Sequence, residues 1–322
     1  MNKTLARMIA GVIPNRELRK RVRNRLMAKH TFHIKKMYST PRDEMPYIAW
    51  KSELPPAEPV GLARFGKNVF SQNGEDGILE HIFSILGTKT KYGIEFGAWD
   101  GKHLSNTFNF VMHHGWRALM IEGNPEKFKD LQKTSDEMNG RIDAVCGRVG
   151  IKKYPLLDTF LKDCPEEPDL LSIDVDGIDY YIWESLQTIR PRVVIIEFNP
   201  AIPSDIIFIQ AKNENVSEGS SAAALVELGT KKGYSLASVI GCNLIFVNNA
   251  EFAKLEVKDN SLETLWSESP RTRIFHVYTG KIYTWGMPAL YWSNAEIRPD
   301  MLQFYEASAW KSENTFLNFL QK

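Results

Sequence analysis

The sequence has few cysteines and no long uninterrupted apolar run. Its three cysteines, Cys146, Cys164 and Cys242, are far apart, match no metal-binding spacing and do not form an even set for disulfides. This usage predicts a reducing, cytoplasmic compartment. No apolar stretch approaches the roughly 18 residues of a membrane-spanning helix. The short apolar run from Leu5 to Pro14 has no small-residue cleavage site after it, so we expect no signal peptide.

The chain also lacks an excess of charge of either sign. Its 40 Lys and Arg residues face 39 Asp and Glu residues, so the net charge is +1 and nucleic acid is not an expected partner. Residues 1–40 are the exception, with eleven basic residues and one acid. Leu18, Val22 and Leu26 recur there at helical spacing, which predicts a basic amphipathic helix. Such a helix either contacts an anionic membrane surface peripherally or packs on the protein with its charges in water.

Composition divides the chain into three parts. Residues 1–67 combine the basic helix with a proline-rich arm, residues 68–250 form the central domain, and residues 251–322 form an aromatic-rich extension. The aromatic residues of the extension fit either the core of an appended subdomain or a cover over a substrate. Its last segment, 299–322, is expected to be helical.

Within the central domain, short apolar runs alternate with segments of helical periodicity. This alternation predicts a doubly wound α/β fold, in which helices cover both faces of a mostly parallel sheet and an antiparallel hairpin lies at one edge. The predicted strands are 92–96, 116–121, 142–145, 169–173, 193–198, 234–240 and 243–247, and the predicted helices after the first strand are 105–114, 125–138, 155–162, 179–188 and 220–232.

Polar residues follow four of the predicted strands, at the sheet edge where α/β proteins bind their ligands. Glu122 is placed to accept hydrogen bonds from the two hydroxyls of an adenosine ribose. The stretch E-F-G-A-W-D-G after the first strand is a poor phosphate cradle, and its carboxylates favour a cationic ligand such as the sulfonium and amino group of S-adenosylmethionine. The strand-end residues are Glu95, Gly97, Asp100 and Gly101, then Glu122, Gly123 and Asn124, then Asp174, Asp176 and Asp179, and finally Glu197, Asn199 and Pro200.

The ordered motifs FSQNGEDGIL, YGIEFGAWDG, LMIEGNP, LLSIDVDG and VVIIEFNP resemble the FkbM-type branch of the class I S-adenosylmethionine-dependent methyltransferases over residues 70–247. The resemblance implies a Rossmann-like fold, S-adenosylmethionine as cofactor, and O-methylation, often of sugars in bacterial glycans. It places the strand end at 145–147 near the adenine. Trp99 departs from the pattern, because a small residue is usual there. The cofactor-binding residues that the resemblance implies are Gln72, Glu75, Asp76, Glu95, Gly97, Asp100, Ser105, Asn106, Glu122, Gly123, Asn124 and Asp174.

A sugar hydroxyl is a weak nucleophile, so its methylation needs a base or a metal ion. Asp174, Asp176 and Glu197 offer hard oxygen ligands that suit Mg²⁺ or Mn²⁺, and Asn199 repeats the spacing of the Asp pair. Alternatively, one of these acids is the catalytic base, or His103 is. A purely structural alternative is that Asp176 or Asp179 caps a helix.

The expected function is therefore S-adenosylmethionine-dependent O-methylation of a sugar hydroxyl, on a bacterial surface glycan or its precursor, in the cytoplasm or at the inner face of the membrane. Two alternatives stay open. The D-V-D sequence of Asp174 to Asp176 also matches the D-x-D of metal-dependent glycosyltransferases that use nucleotide sugars, and the chain could be a non-catalytic membrane-docking module. Ser220 and Ser221 open a predicted helix, either as caps or as ligands of an anionic group such as a sugar-linked phosphate.

Overall fold

The structure is a computed structural model that describes residues 59–266, 272–277 and 282–286. The predictions for the basic segment 1–40, for most of the proline-rich arm and for the helix at 299–322 lie outside these residues. Among the helices that are described, none is both long enough and apolar enough to cross a membrane.

Seven strands form the central sheet. They are β1 (Tyr92–Phe96), β2 (Arg117–Glu122), β3 (Ile142–Cys146), β4 (Leu170–Ile173), β5 (Val193–Glu197), β6 (Tyr234–Ile240) and β7 (Asn243–Asn248). Their spatial order is β3-β2-β1-β4-β5-β7-β6. The first five are parallel, whereas β7 is antiparallel to β5 and to β6, so the predicted hairpin does lie at one edge.

The helices before, between and after these strands are mostly short. A separate antiparallel pair of strands, β8 (Thr272–His276) and β9 (Ile282–Gly286), comes after the last of these helices in the chain. Short 3₁₀ turns occur at Gly61–Phe65, Leu157–Phe160 and Ala253–Leu255. The α-helices are α1 (Glu75–Leu86), α2 (Phe108–His113), α3 (Pro125–Glu137), α4 (Asp179–Ser185), α5 (Ala222–Lys231), α6 (Asn249–Phe252) and α7 (Leu262–Leu265).

The interior strand β5 shows that both faces of the sheet are covered. Val193 and Ile195 belong to the apolar cluster that contains the buried face of α1. Val194 and Ile196 point the other way, into the cluster that contains the apolar residues of α4 and α5. All four side chains are fully buried, as a near-continuous apolar run in a parallel sheet requires. The doubly wound α/β prediction is confirmed.

The helix after β2 begins where the sequence predicts it. The Asn124 side chain accepts hydrogen bonds from the backbone N–H groups of Glu126 and Lys127, and Pro125 occupies the first turn of α3. Asparagine is a preferred N-cap residue, and proline loses nothing at a position whose N–H has no partner within the helix. This pair of residues fixes the start of α3 directly above the end of β2.

Two other predicted helices are shorter in the structure. The helix predicted from residue 105 begins only at Phe108, because the N–H groups of Asn106 and Thr107 donate to the Glu95 carboxylate. The helix predicted at 155–162 is a single 3₁₀ turn. The late start of α2 matters for function, because the same hydrogen bonds hold the segment after β1 against Glu95.

The strand order reverses between β1 and β4, and this point of the sheet creates a crevice. Gly97, just after β1, has φ of +73°, and a Cβ on it would lie 2.1 Å from the backbone oxygen of Asp174 after β4. Only glycine allows two strand ends to approach so closely in this conformation. In open α/β sheets ligands bind at such a switch point, at the carboxyl ends of the strands.

Candidate active site

A cavity of about 570 Å³ lies at this switch point. It is lined by residues that follow β1, β2, β3, β4 and β5, so strand ends that are distant in sequence contribute to one wall. The sequence-predicted site residues that line it are Gln72, Glu95, Gly97, His103, Asn106, Glu122, Gly123, Asn124, Asp174, Asp176 and Glu197.

Five other residues of the predicted site do not line this cavity. Their polar groups hold the neighbouring loops, so the structure does not support direct contact between them and a ligand in the cavity. Asp76 Oδ2, for example, accepts hydrogen bonds from three successive N–H groups, of residues 69, 70 and 71, at 2.7–2.8 Å. The five residues are Glu75, Asp76, Asp100, Ser105 and Asn199.

The other four have comparable structural contacts. Glu75 accepts from the Asn243 side chain, and Asp100 accepts from the N–H groups of residues 102 and 103. Asn199 donates to the backbone oxygen of residue 218 and accepts from the N–H of residue 201. The hydroxyl of Ser105 donates to Glu95. These contacts shape the loops from which the cavity is built.

Glu95 is a buried carboxylate held in a fixed orientation. Its Oε2 accepts from the hydroxyl of Ser105 at 2.6 Å, and its two oxygens accept from the N–H groups of Asn106 and Thr107 at 3.1 and 3.2 Å. Burial raises the pKa of Glu95, although these hydrogen bonds oppose the effect. A carboxylate in this environment gains from a cationic ligand, which would offset the cost of burying its charge.

Glu122, the last residue of β2, is held in a similar way. Its Oε2 accepts from the N–H of Trp99 at 2.8 Å, and its Oε1 accepts from the N–H of Asn124 at 2.6 Å. Each oxygen of an ionised carboxylate has a second lone-pair site. Glu122 therefore presents two fixed acceptors to the cavity, as two vicinal hydroxyls require.

Asp174, Asp176 and Glu197 form a cluster in which one oxygen of each lies within 4.8 Å of the others. Burial, together with Asp179 and Asp176, raises the pKa of Asp174 to about 7. Burial and the charge of Asp174 raise the pKa of Glu197 further, to about 10. Two carboxyl groups this close share a proton in a hydrogen bond, and the more strongly raised pKa of Glu197 favours Glu197 as the donor to Asp174.

The structural alternative of helix capping by Asp176 or Asp179 is wrong, because no side chain caps α4, although Asp179 has another structural role. Asp179 is buried, and its two oxygens accept from the N–H groups of Val175 and Gly177 at 2.9 Å, which fixes the turn before α4. Asp176 is exposed and lines the cavity.

The predicted anion site at Ser220 and Ser221 has a structural role instead. Ser221 caps α5 by accepting from an N–H group, and Ser220 is buried and does not line the cavity.

The backbone is unusual along this cavity. Of the six non-glycine residues with positive φ in the described chain, three line it: Trp99, Leu104 and Asp176, with φ of 49°, 61° and 58°. Such conformations cost free energy and tend to occur where a functional site imposes them.

Sequence reasoning missed several residues of the lining. Arg148 follows β3 directly and could have been found, because the strand-end argument applies to the third strand as well as to the other four. Lys127 lies in the first turn of α3, with its ammonium 4.5 Å from the ring centroid of Trp99. Tyr154, Glu214 and Ser217 lie in long loops where no motif marks them.

No family model matches the sequence, and no curated protein matches it. Among solved structures, the chain is similar to the N-terminal domain of EvdMO1 with SAH bound, at 11% identity and a TM-score of 0.37, over 56% of this chain and 82% of that one. It is similar to precorrin-6y C5,15-methyltransferase from Geobacter metallireducens (14%, TM-score 0.34, 56% and 90% covered) and to the mitomycin 7-O-methyltransferase MmcR (12%, TM-score 0.31, 53% of each). At TM-scores this low, the similarities determine neither the activity nor the substrate of this chain.

Proposed function

We propose that this chain is an S-adenosylmethionine-dependent methyltransferase that transfers a methyl group to an oxygen. One observation carries the proposal: carboxylates at the ends of β1, β2, β4 and β5 all face one cavity. They are Glu95, Glu122, Asp174, Asp176 and Glu197. So many acids in one cavity favour a ligand with positive charge and hydroxyl groups, and S-adenosylmethionine has both.

The cofactor would be held by the residues with fixed acceptors. Glu122 would accept hydrogen bonds from the two ribose hydroxyls, and Glu95 would face the amino and sulfonium end. When bound, S-adenosylmethionine supplies an electrophilic methyl group on a positively charged sulfur. The lack of a side chain on Gly97 lets the ends of β1 and β4 approach each other closely beside the cavity.

Asp174 is the base in this proposal. Its pKa of about 7 lies near the operating pH, which is where a general base works best. Asp174 would accept the hydroxyl proton as the acceptor oxygen takes the methyl group. Glu197 donates a hydrogen bond to Asp174 and so holds it in place. His103 is exposed at the cavity and is the alternative base.

A divalent cation is a second way to activate the hydroxyl. Asp174, Asp176 and Glu197 have the oxygen ligands and the spacing that fit Mg²⁺ or Mn²⁺. There the cation would supply a Lewis acid for the acceptor oxygen and would take the place of the proton on Glu197.

The acceptor in this proposal is a sugar hydroxyl of a bacterial glycan or its precursor, and the chain belongs to the FkbM-type branch. The motif order over residues 70–247 supports both points. A D-x-D glycosyltransferase is the competing function, because Asp174 and Asp176 fit that pattern as well.

Calorimetric titration of the full-length protein tests the proposal. We expect S-adenosylmethionine and S-adenosylhomocysteine to bind in the micromolar range, and Glu122→Ala to weaken both by about tenfold or more, since a charged acceptor of two hydrogen bonds is lost. Glu126→Ala, an exposed acid of α3 next to the site, is the matched control and should bind normally.

The same titration includes nucleotide sugars, with Mg²⁺ and with EDTA. Binding of a nucleotide sugar only with Mg²⁺, and no binding of either adenosyl ligand, would reject the methyltransferase proposal in favour of the glycosyltransferase. Adenosyl binding that is equal with and without Mg²⁺, followed by turnover in EDTA, would favour Asp174 as base over the cation.

A further inference from the structure

The turn after β3 forms a concentrated group of hydrogen-bond donors. The Oε1 atom of Glu214, from the loop between β5 and α5, accepts from the N–H groups of Ile151, Lys152 and Lys153 at 2.9 Å and of Tyr154 at 3.3 Å. Its Oε2 accepts from the N–H group of Lys153, at 3.2 Å. Successive N–H groups that converge in this way form an anion-binding concavity.

A carboxylate fits this turn incompletely. Four donors converge on one oxygen of Glu214, whereas an ionised carboxylate offers about two lone-pair sites per oxygen. A phosphate group has three terminal oxygens over which the same donors could be spread. Gly150 keeps the space open, because a Cβ on it would lie 2.6 Å from Oε1 of Glu214.

Positive side chains surround the turn. Arg148 donates to the hydroxyl of Tyr154 at 2.9 Å and lies 4.9 Å from the centroid of its ring. The ammonium of Lys153 lies 5.0 Å from the same ring. Although burial alone would raise it, the four N–H groups lower the pKa of Glu214 to about 2, so the turn holds a full negative charge.

This turn belongs to the wall of the candidate active site, since Arg148, Tyr154 and Glu214 all line the cavity. The loop that carries Glu214 does not need it to keep its shape. Gln210 is buried in that loop, where its side-chain oxygen accepts from the N–H groups of residues 218 and 219 at 2.9 Å. Glu214 can therefore leave the turn while the loop stays folded.

We propose that the turn at 150–154, with Arg148 and Lys153, binds a phosphate group of the methyl acceptor, and that Glu214 fills this site until the acceptor displaces it. The inference rests on the proposed function and adds the substrate class, a sugar that carries a phosphate or diphosphate. Glu95 and Glu122, at the ends of β1 and β2, would face the cofactor, and Asp174 and Glu197 would face the reacting hydroxyl, while the positive charge after β3 faces the phosphate.

Inorganic pyrophosphate is the probe that tests this site. Calorimetric titration in EDTA compares the wild type with Glu214→Ala, and EDTA removes any metal-mediated binding at Asp174 and Asp176. We expect Glu214→Ala to bind pyrophosphate at least about tenfold more tightly, because a tethered competitor at high effective concentration is gone. Glu218→Ala, an exposed acid of the same loop, should match the wild type. Adding Arg148→Ala to Glu214→Ala should abolish the gain.

Proteolysis of the wild type gives a second test that needs no variant. Lys212 is the only lysine or arginine between residues 199 and 220. Displacement of Glu214 detaches residues 211–215 from the turn, while the contacts of Gln210 with residues 216, 218 and 219 keep the rest of the loop folded, so pyrophosphate should speed tryptic cleavage after Lys212 several-fold in the wild type. Equal pyrophosphate affinity in the wild type and Glu214→Ala, or cleavage that pyrophosphate leaves unchanged, would overturn the proposal.

The source of the phosphate and the proposed activity are tested separately. A nucleotide sugar and a lipid-linked sugar diphosphate in micelles, each titrated in EDTA, distinguish the two sources of the group. Titration with S-adenosylhomocysteine is independent of Glu214. Tight pyrophosphate binding without adenosyl binding would keep the anion site and reject the methyltransferase, and the opposite result would reject the anion site alone.

Discussion

At the scale of single residues, the Asp174–Glu197 pair is the part of the site most sensitive to pH. A general base must be deprotonated to work, and the raised pKa of Asp174 lies near 7. The rate of methyl transfer should therefore rise with pH through this region. Asp174→Asn should lose the rising limb and about 10²–10⁴-fold in kcat, the range that general-base catalysis contributes.

A pH–rate profile of the wild type, Asp174→Asn and His103→Asn, each at saturating S-adenosylmethionine, checks this prediction. His103→Asn is the matched control, because it removes the alternative base from the same cavity. If His103→Asn loses the rising limb and Asp174→Asn keeps it, the two roles must be exchanged.

At the scale of elements, the contact between the ends of β1 and β4 depends on one glycine. Gly97→Ala puts a Cβ into positive φ and 2.1 Å from a backbone oxygen, so the strand ends must move apart. We expect a loss of about 3 kcal/mol or more in the free energy of unfolding, from strain and overpacking together. S-adenosylhomocysteine affinity should fall with it, because Asp174 is displaced.

Gly87→Ala separates the effect of backbone strain from the effect of overpacking. Gly87 ends α1 with φ of +65°, and a Cβ there would meet nothing within 4 Å. It should cost only the backbone strain of a φ/ψ region that essentially only glycine adopts, about 1–3 kcal/mol, with normal ligand affinity. Urea unfolding and calorimetry of both variants are the measurements. Equal losses in the two variants would mean that the close approach of the strands contributes nothing.

The positions of several strands and helices could be predicted from the sequence because they depend on local rules. β1 and β5 are apolar runs with an acid as the last or next-to-last residue, and α3 begins at a proline that follows an asparagine N-cap, so their positions follow from burial and capping. The helix predicted from residue 105 begins later because Glu95, ten residues earlier in the chain, takes its first N–H groups. A competition between a strand-end acid and a helix cannot be seen in local periodicity.

At the scale of the whole molecule, long-range contacts set the limit of sequence reasoning. The carboxylates at four strand ends were predicted to converge, because parallel strands place their carboxyl ends at one edge. The contact of Glu214 with residues 151–154 spans about 60 residues and joins two loops without a motif. Such a contact depends on the path of both loops, which neither periodicity nor composition specifies.

The opposite end of the sheet is held by a buried ion cluster around Arg192. Its guanidinium contacts the carboxylates of Asp169 before β4 and Glu251 in α6, and donates to the backbone oxygens of Leu86 and Gly87 at the end of α1. Four elements thus meet at one buried side chain. Arg192 lowers the pKa of Glu251, so this part of the stability is present at neutral pH and is lost as the pH falls through that lowered pKa.

Arg192→Met should therefore destabilise the whole domain without changing the chemistry. Removing one partner of a buried charge cluster costs about 3–5 kcal/mol, because the buried Asp169 keeps only the hydrogen bonds of residues 89–91 and loses its positive partner. Arg117→Met is the control: it breaks an exposed pair with Asp143 and should cost less than about 1 kcal/mol. Urea unfolding measures both, and S-adenosylhomocysteine titration at low temperature should show wild-type affinity for each. If Arg192→Met weakens binding while the domain stays folded, the two ends of the sheet are coupled, and the division between a stabilising end and a ligand-binding end is wrong.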